Sequence, residues 1–395
     1  MKTLQNKKSS LLTSIKIPPS KSYANRVLIL CALLKNSPVI NNLPNASDVS
    51  NLLRCLEDMG LEFQSFGEGI KFSNSFPQCE KDGEVFLSVG EGGTTARFLS
   101  VMLLLGKQKY TLKLGHRLKD RPWSEFISLA RSLGALAELN DDILTLKGPV
   151  IFPSLLEVDC SSTTQFASAF QLINHDSKTE IIPKNMKSSQ SYWAMTNELQ
   201  KKLKAMDHYE VPLDWSSASY PMAYAALNHK IVFPKLHHDE FQADSKMFDL
   251  LKSFHCVEEN ELGISVSPLK IHRNVDLDVS DCLDLVPTLT YFLGHIEGRH
   301  SLKGISNLIH KESNRLEEVI KLIKMFNRNA YSDGSTLWIE GSKERVPSEV
   351  DLILPDDHRM VMAGTLFQLH HSGGKITPAD SVNKSFPGFF DIISF

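Results

Sequence analysis

Two kinds of hydrophobic pattern alternate along this chain. The first is apolar on nearly every side, with a small or polar start: KSYANRVLILCALL, GEGGTTARFLSVMLLL, SSTTQFASAFQLI, SSASYPMAYAALN, DLVPTLTYFLGHIEG and DDHRMVMAGTLFQLHH. A helix with no polar stripe has to be covered all round, so these segments predict helices buried at a domain centre. The second kind is amphipathic: SDVSNLLRCLEDMG, RPWSEFISLARSLGA, MTNELQKKLKAM, DSKMFDLLKSF and NRLEEVIKLIKMF. Their apolar residues recur at helical spacing, as Leu52, Leu53 and Leu56 or Val319, Ile320, Ile323 and Met325 do. Several open on Ser, Asp or Asn, which can cap a helix. Short runs between them, YTLKLG, ILTLKG, KIVFP, ISVSP and TLWIEG, predict strands.

These segments form a loose internal repeat of roughly 55–75 residues, each unit pairing a buried helix with an outer helix and strands. About six such αβ units are predicted, three per domain. The boundary is expected near Pro234–Asp244, where the chain passes through the polar run KLHHDEFQAD.

Composition narrows the function. The 395 residues are 42% hydrophobic and 23% charged, with a formal net charge of −3. That balance excludes general nucleic-acid binding and assigns clustered cations to local anions. The six cysteines are scattered with no CxxC pair, which predicts reduced thiols in a cytoplasmic protein. The basic N-terminus has no apolar stretch of signal-peptide length. VLILCALL and FLSVMLLL are far shorter than the roughly 20 residues of a membrane span.

The helix starts carry the candidate chemistry. NLIHKESNR crowds Lys311, Glu312 and Arg315 ahead of a helical run. Cations at the already positive end of a helix suit an anion, and a solvated, capped helix start is the competing reading. IPPSKSYANR places Lys21, Ser22 and Arg26 within reach of another first turn, where Lys21 and Arg26 either hold a phosphate or carboxylate or are surface cations. GEGGTTARF is glycine-rich but matches neither GxGxxG nor GxxxxGK[ST], so it indicates no nucleotide. HRLKDRP clusters His116, Arg117, Lys119 and Arg121. SSTTQF and SSQSYW offer hydroxyls and an amide that could read a hydroxylated ligand or simply cap helices. Asp284, in an apolar run, is either a cap or a base with a raised pKa. DDHRM and NKSF add Asp357, His358, Arg359 and Lys384. The doublets His237–His238 and His370–His371 lack metal-ligand spacing and are expected at the surface.

In order and spacing, SKSYANR, GEGGTTAR, RLKDRP, TTQF, SSASY, LDLVP, HKESNR, DDHRM and NKSFP resemble the 5-enolpyruvylshikimate-3-phosphate synthase family over nearly the whole chain. The resemblance implies a two-domain inside-out α/β barrel, each domain three βαβαββ repeats with buried parallel helices. The domains would span residues 15–235, and 1–14 with 236–395, with the active site in the cleft between them. It implies enolpyruvyl transfer from phosphoenolpyruvate to shikimate 3-phosphate, by a monomer without metal or organic cofactor and without nucleic-acid or membrane partners. Lys21, Gly93, Arg121, Gln165, Arg315, Arg359 and Lys384 match the phosphoenolpyruvate ligands. Lys21, Ser22, Arg26, Thr163, Thr164, Gln165, Ser189, Asp284, Asn307 and Lys311 match those of shikimate 3-phosphate. Asp284, Glu312 and Lys21 match the residues that share the proton transfers.

The chain departs from the family at four places. Glu91 stands for a usual Asn, Phe98 for a frequent Pro, TTQ for SSQ and Asn314 for Asp. Glu91 puts a negative charge beside an expected anion site, so it is expected to pair with Lys119, Arg121 or Arg97. A relative acting on UDP-N-acetylglucosamine is the alternative enzyme, and a non-catalytic anion-binding relative the alternative class. The former group has a Lys-Asn pair where this chain has Lys21-Ser22, and a loop Cys that Cys79 and Cys160 do not match.

Overall fold

The computed structural model describes residues 1–4, 10–176 and 178–394. The chain forms two compact units, Pro19–Pro212 and Met1–Pro18 with Leu213–Phe395. Among the described residues no helix is long and apolar enough to cross a membrane.

In the unit Pro19–Pro212, the helices predicted as buried are α1 (Lys21–Leu33), α3 (Gly93–Leu103) and α5 (Gln165–Ile173), and the outer ones are α2 (Ser47–Asp58), α4 (Ser124–Ser132) and α6 (Gln190–Lys202). Helix α1 buries every residue from Tyr23 to Leu33, whereas α2 buries only a face with Val49, Leu52, Cys55 and Leu56. That contrast follows the two hydrophobic patterns directly. The second repeat draws the full βαβαββ order. Glu84–Gly90 runs parallel to Lys109–Leu114, which pairs antiparallel with Ile143–Lys147 and through it with Leu136–Asn140. In the first repeat, the strand beside Val39–Asn41 is His208–Glu210, parallel and from the far end of the unit. The third repeat keeps two parallel strands, Leu155–Asp159 and Glu180–Lys184.

The other unit repeats the plan. Helices α7 (Trp215–Leu227), α9 (Val286–Gly294) and α11 (His358–His370) are buried, and α8 (Lys246–Ser253) and α10 (Arg315–Met325) each keep a polar face. Its complete repeat orders Asp276–Asp278, Gly298–Lys303, Thr336–Gly341 and Asn329–Ser332 in one sheet. The N-terminal strand Lys2–Leu4 pairs with Gly374–Thr377, so the first residues of the chain complete the last sheet.

The crossings between units fall at Pro18/Pro19 and Pro212/Leu213, not at residues 14/15 and 235/236. The reason is packing. Ile15, Ile17, Trp215, Tyr220 and Ala223 share one core with Leu289 and Phe367 of α9 and α11. The polar run near residue 237 is a connection inside this unit.

A second correction concerns His370 and His371, which are 8% and 4% exposed rather than at the surface. They belong to a hydrogen-bonded core network. The Val346 N–H donates to His371 Nδ1 at 2.9 Å, leaving His371 Nε2 to donate to His295 Nε2 at 3.0 Å. His295 Nδ1 in turn donates to the Tyr291 carbonyl at 2.6 Å, and Tyr291 Oη lies 3.3 Å from His370 Nδ1. Each assigned nitrogen role requires a neutral ring. Burial, Arg345 and Arg328 push His370 down to about 3, and burial, Arg328 and His370 do the same to His371. Burial, His370 and Arg328 hold His295 well below the usual range.

These depressed values make this unit acid-sensitive. The unfolded imidazoles titrate near pH 6.5, so they stabilise the fold fully above that pH and progressively less as pH falls toward 3. Stability should decline by about 1 kcal/mol per pH unit per imidazole below pH 6. Urea unfolding at pH 7, 6 and 5 measures this decline. His370→Phe should flatten it by one group's share, and an unchanged slope would remove the network as its source.

Candidate active site

In the unit Pro19–Pro212, the extended Ser20 leads into α1, which Lys21 begins. Its ammonium pairs with Asp48, in the first turn of α2, at 2.9 Å. The Asp48 carbonyl accepts the Thr95 hydroxyl of α3 at 3.1 Å, so three helix starts converge on this aspartate. Arg26, one turn along α1, is 3% exposed and braces α1 against α6. Its Nε donates to Thr196 Oγ1 at 2.9 Å, Nη1 to the Ser22 carbonyl at 3.0 Å and Nη2 to the Tyr192 carbonyl at 3.4 Å. The Phe98 and Tyr192 rings lie 5.2 and 5.5 Å from its guanidinium, so the Phe in place of Pro supplies a cation–π contact. Burial lowers the Arg26 pKa to about 10.

The glycine loop begins at Gly90, the last residue of its strand, in the left-handed region with φ +66°, and Gly93 starts α3. A β-carbon on Gly93 would sit 2.7 Å from Arg121 Nη1, so a side chain there would displace that guanidinium. Arg97 Nη1 donates to Gln165 Oε1 at 2.7 Å, and Gln165 Nε2 donates to Thr94 Oγ1 at 3.1 Å. Arg97 lies 5.7 Å from the Trp123 ring and 5.4 Å from that of Phe166. Burial and the nearby Arg121 push it down to about 9. The Nε atoms of Arg97 and Arg121 are both buried without a hydrogen-bond partner among the described residues. Two adjacent arginines in this condition, with Gly93 between them and the loop, are suited to an anion. Thr164 directly precedes α5, Thr163 Oγ1 accepts the Gln165 N–H at 3.3 Å, and Ser189 precedes α6 with φ +61°.

Among the described residues Glu91 forms no ion pair with Lys119, Arg121 or Arg97, contrary to expectation. Its carboxylate accepts the Arg117 backbone N–H at 3.3 Å, and a β-carbon on Gly115 would fall 2.4 Å from its carboxyl carbon. Lys119 pairs with Asp141 at 2.6 Å instead. The bare backbone at Gly115 admits the carboxylate against the 115–117 turn.

In the other unit, Asn314 caps α10 by accepting the Glu317 N–H at 3.4 Å, and Arg315 is the first helical residue. Arg315 is 2% exposed. It grips Asp357 through Nε at 2.7 Å and Nη2 at 3.2 Å, and donates from Nη1 to Asp284 at 2.7 Å. Asp357 caps α11, accepting the Arg359 N–H at 3.0 Å. Arg359 Nη2 donates to the other Asp284 oxygen at 2.9 Å, and Lys311 Nζ is 3.3 Å from Asp284. Burial pushes the Asp284 pKa up, but Arg359, Lys311 and Arg315 together hold it well below the usual carboxylate range. Asp284 is therefore neither a helix cap nor an acid with a raised pKa. It is an ionised carboxylate among three cations, in the turn ahead of α9.

Glu312 Oε2 lies 2.9 Å from His358 Nδ1 and 3.9 Å from Arg315 Nη2. Asn307 lies in the turn Ser306–His310 just before Lys311. Lys384 stands apart from this group, on the Asp356 carboxylate at 3.1 Å. Glu312, Asp357 and His358 offer ligand atoms within 4.8 Å of one another. Arg315 already places its charge on both Asp357 oxygens, so this trio is a poor cation site.

Asp48, which the sequence reading did not single out, belongs to these clusters, as do Arg97, expected only as a partner of Glu91, and Asp357 and His358, named as candidates without a substrate role. Asp48 opens an amphipathic helix, Arg97 follows the glycines directly, and Asp357 and His358 abut Arg359 in DDHRM. Their types and places were visible, but which partner each faces depends on the fold.

The Arg315–Asp357 pair makes a prediction. Asp357→Asn keeps the shape but leaves a buried guanidinium short of a charge, a loss of about 3 kcal/mol. Chemical unfolding should show that loss, and a change within about 0.5 kcal/mol, the scale of ordinary surface substitutions, would contradict it.

Comparison with known proteins places this chain in a family. The model of the EPSP synthase (3-phosphoshikimate 1-carboxyvinyltransferase) family matches residues 5–173 and 185–393. The 3-phosphoshikimate 1-carboxyvinyltransferase of Thermococcus kodakarensis is 30% identical over 95% of this chain and 94% of its own length. That of Methanothrix thermoacetophila is 28% identical over 97% and 96%. Among solved structures, EPSP synthase from Acinetobacter baumannii has a TM-score of 0.76 at 19% identity, covering 100% of this chain and 99% of its own. The enolpyruvyl transferase NikO from Streptomyces tendae reaches 0.72 at 11% identity over 99% and 97%. The fold is the two-domain inside-out α/β fold of these enzymes, and the chain belongs to the EPSP synthase (3-phosphoshikimate 1-carboxyvinyltransferase) family.

Proposed function

We propose that this protein transfers the enolpyruvyl group of phosphoenolpyruvate to the 5-hydroxyl of shikimate 3-phosphate, releasing phosphate, in aromatic amino acid biosynthesis. The observation that carries the chemical reading is Asp284 among Lys311, Arg315 and Arg359, beside the Glu312–His358 contact. Two phosphorylated, carboxylated substrates repel each other, so the cations must offset both. Charge-assisted hydrogen bonds contribute about 1.5–3 kcal/mol each, enough for several converging side chains to hold them. Lys21, Gly93, Arg121, Gln165, Arg315, Arg359 and Lys384 are assigned to phosphoenolpyruvate. Lys21, Ser22, Arg26, Thr163, Thr164, Gln165, Ser189, Asp284, Asn307 and Lys311 are assigned to shikimate 3-phosphate.

In this reading Asp284 takes the proton of the 5-hydroxyl and Glu312 delivers one to the enolpyruvate methylene, with Lys21 sharing in the transfers. The hydroxyl oxygen bonds to the central carbon, giving a tetrahedral ketal phosphate. Loss of phosphate, with return of the methyl proton, then gives the enol ether. The charge network supplies a reason for ordering. With three cations on it, Asp284 is a weak base. An anionic substrate that engages Arg315 and Arg359 draws off part of that positive field and strengthens the base when there is a hydroxyl to deprotonate. His358 orients Glu312 for its transfer. The six free cysteines fit a protein acting in the cytoplasm.

Phosphate release from phosphoenolpyruvate tests the reading. It should require shikimate 3-phosphate and should not occur with UDP-N-acetylglucosamine as acceptor. Release with the sugar nucleotide alone would overturn the assignment. Glu312→Gln should keep both KM values and lower turnover by about 10²-fold or more. Near-normal turnover would exclude Glu312 from the chemistry.

A further inference from the structure

Asp244 has no part in the steps above, yet it lies against a residue assigned to substrate. It sits in the turn Ala243–Ser245 ahead of α8 and is 1% exposed. One carboxylate oxygen accepts the Ser216 hydroxyl from the first turn of α7. The other, Oδ1, is buried with no hydrogen-bond partner among the described residues. The closest cation is Arg359, whose Nη1 is 3.9 Å from Asp244, while its Nη2 donates to Asp284 at 2.9 Å. One guanidinium therefore faces two carboxylates, bonded to the half-buried Asp284 and merely near the buried Asp244.

The internal repeat shows how unusual this is. α1 and α7 both have thirteen residues, and each is followed by an aspartate at the start of the next helix segment. In the unit Pro19–Pro212 the first residue of the helix, Lys21, pairs with that aspartate, Asp48, at 2.9 Å. In the other unit the first residue is Trp215, so Asp244 has no lysine of its own there. Its charge depends on Arg359.

We propose that Asp244 is a positioning residue for Arg359 that takes up a proton when an anionic group of phosphoenolpyruvate engages that guanidinium. The proposal rests on the assignment of Arg359 to phosphoenolpyruvate. Free of ligand, Asp244 and Asp284 hold the guanidinium between them. Once the ligand's anion claims Arg359, an ionised Asp244 would be a buried charge without compensation, and protonation relieves it. The charged and titratable groups facing Asp244 agree. Burial raises it to about 6, against the pull of Arg359, and Asp284 and the α7 cap Asp214 push in the same direction as burial. The neighbouring Cys282 thiol is pushed up by burial and by Asp244, and stays neutral. Asp244 is thus poised to titrate in the working range, and loss of the Arg359 field moves it up.

Proton uptake on binding weakens binding as pH rises. The test is the KM for phosphoenolpyruvate from pH 6 to 8.5, at saturating shikimate 3-phosphate, in wild type, Asp244→Asn, Ser216→Ala and Arg359→Gln. The ligand's own phosphate titrates equally in all four. Wild-type KM should rise with pH more steeply than that of Asp244→Asn, by about one log unit per pH unit at the steepest. The two should converge near pH 6, and the variant should have the lower KM at pH 8. Ser216→Ala removes a hydrogen bond to the ionised form, so the bend in its profile should move to higher pH. That variant carries the test if Asp244→Asn fails to fold. Parallel profiles for wild type and both variants, or a uniform rise in KM at every pH, would reduce Asp244 to a structural role and overturn the proposal. If Arg359→Gln leaves KM unchanged, the assignment of Arg359 fails first, and the proposal with it.

Discussion

Arg315 is the constraint on which one unit is built. Its guanidinium is buried, grips Asp357 through two nitrogens and Asp284 through the third. Those three residues open α10, cap α11 and precede α9, so one cation locks three element starts together. Taking such groups out of water costs several kcal/mol per ion, and well-packed apolar residues would often be as stable. The arrangement therefore makes more sense as preorganised electrostatics than as a source of stability. It fixes Asp284 as a carboxylate, places Arg359 and Lys311 beside it, and leaves Glu312 to His358.

The unit Pro19–Pro212 uses cations differently. Lys21 has its own carboxylate in Asp48, whereas Arg97 and Arg121 bury Nε groups with no partner among the described residues. Aromatic faces and Gln165 hold Arg97 without neutralising it. Burial beside Arg121 then depresses its pKa, the physical mark of positive charge kept short of a counterion. Glu91, the one acid that enters the glycine loop against the family pattern, is turned onto the backbone at Gly115 and Arg117 and does not fill that deficit. One unit thus buries arginine Nε atoms without a hydrogen-bond partner among the described residues, and the other surrounds a carboxylate with three cations.

Much of this was legible in the chain. The absence of a polar stripe in KSYANRVLILCALL or DDHRMVMAGTLFQLHH requires burial on all sides, and α1 and α11 are buried. The helix-start motifs named most residues of the charge clusters. What the residues hid was pairing. KLHHDEFQAD looks like a linker because it is polar, but the core contacts of Trp215 and Tyr220 decide where the unit begins. His370 and His371 look like surface residues because imidazole is polar, yet neutral rings that trade hydrogen bonds with His295 and Tyr291 can be buried cheaply. The ionisation of Asp284 depends on cations about 30 and 75 residues away in sequence, which no local pattern reveals.

The central claim is that Asp284 stays ionised because three cations outweigh its burial. Carbon-13 NMR of protein labelled at the aspartate carboxyl carbons tests it directly, with Asp284→Asn identifying the resonance. The account predicts a signal at the ionised position that does not titrate between pH 8 and about 4.5, below which model carboxylates begin to protonate. A midpoint at pH 6 or above would show that desolvation wins, and would contradict the account.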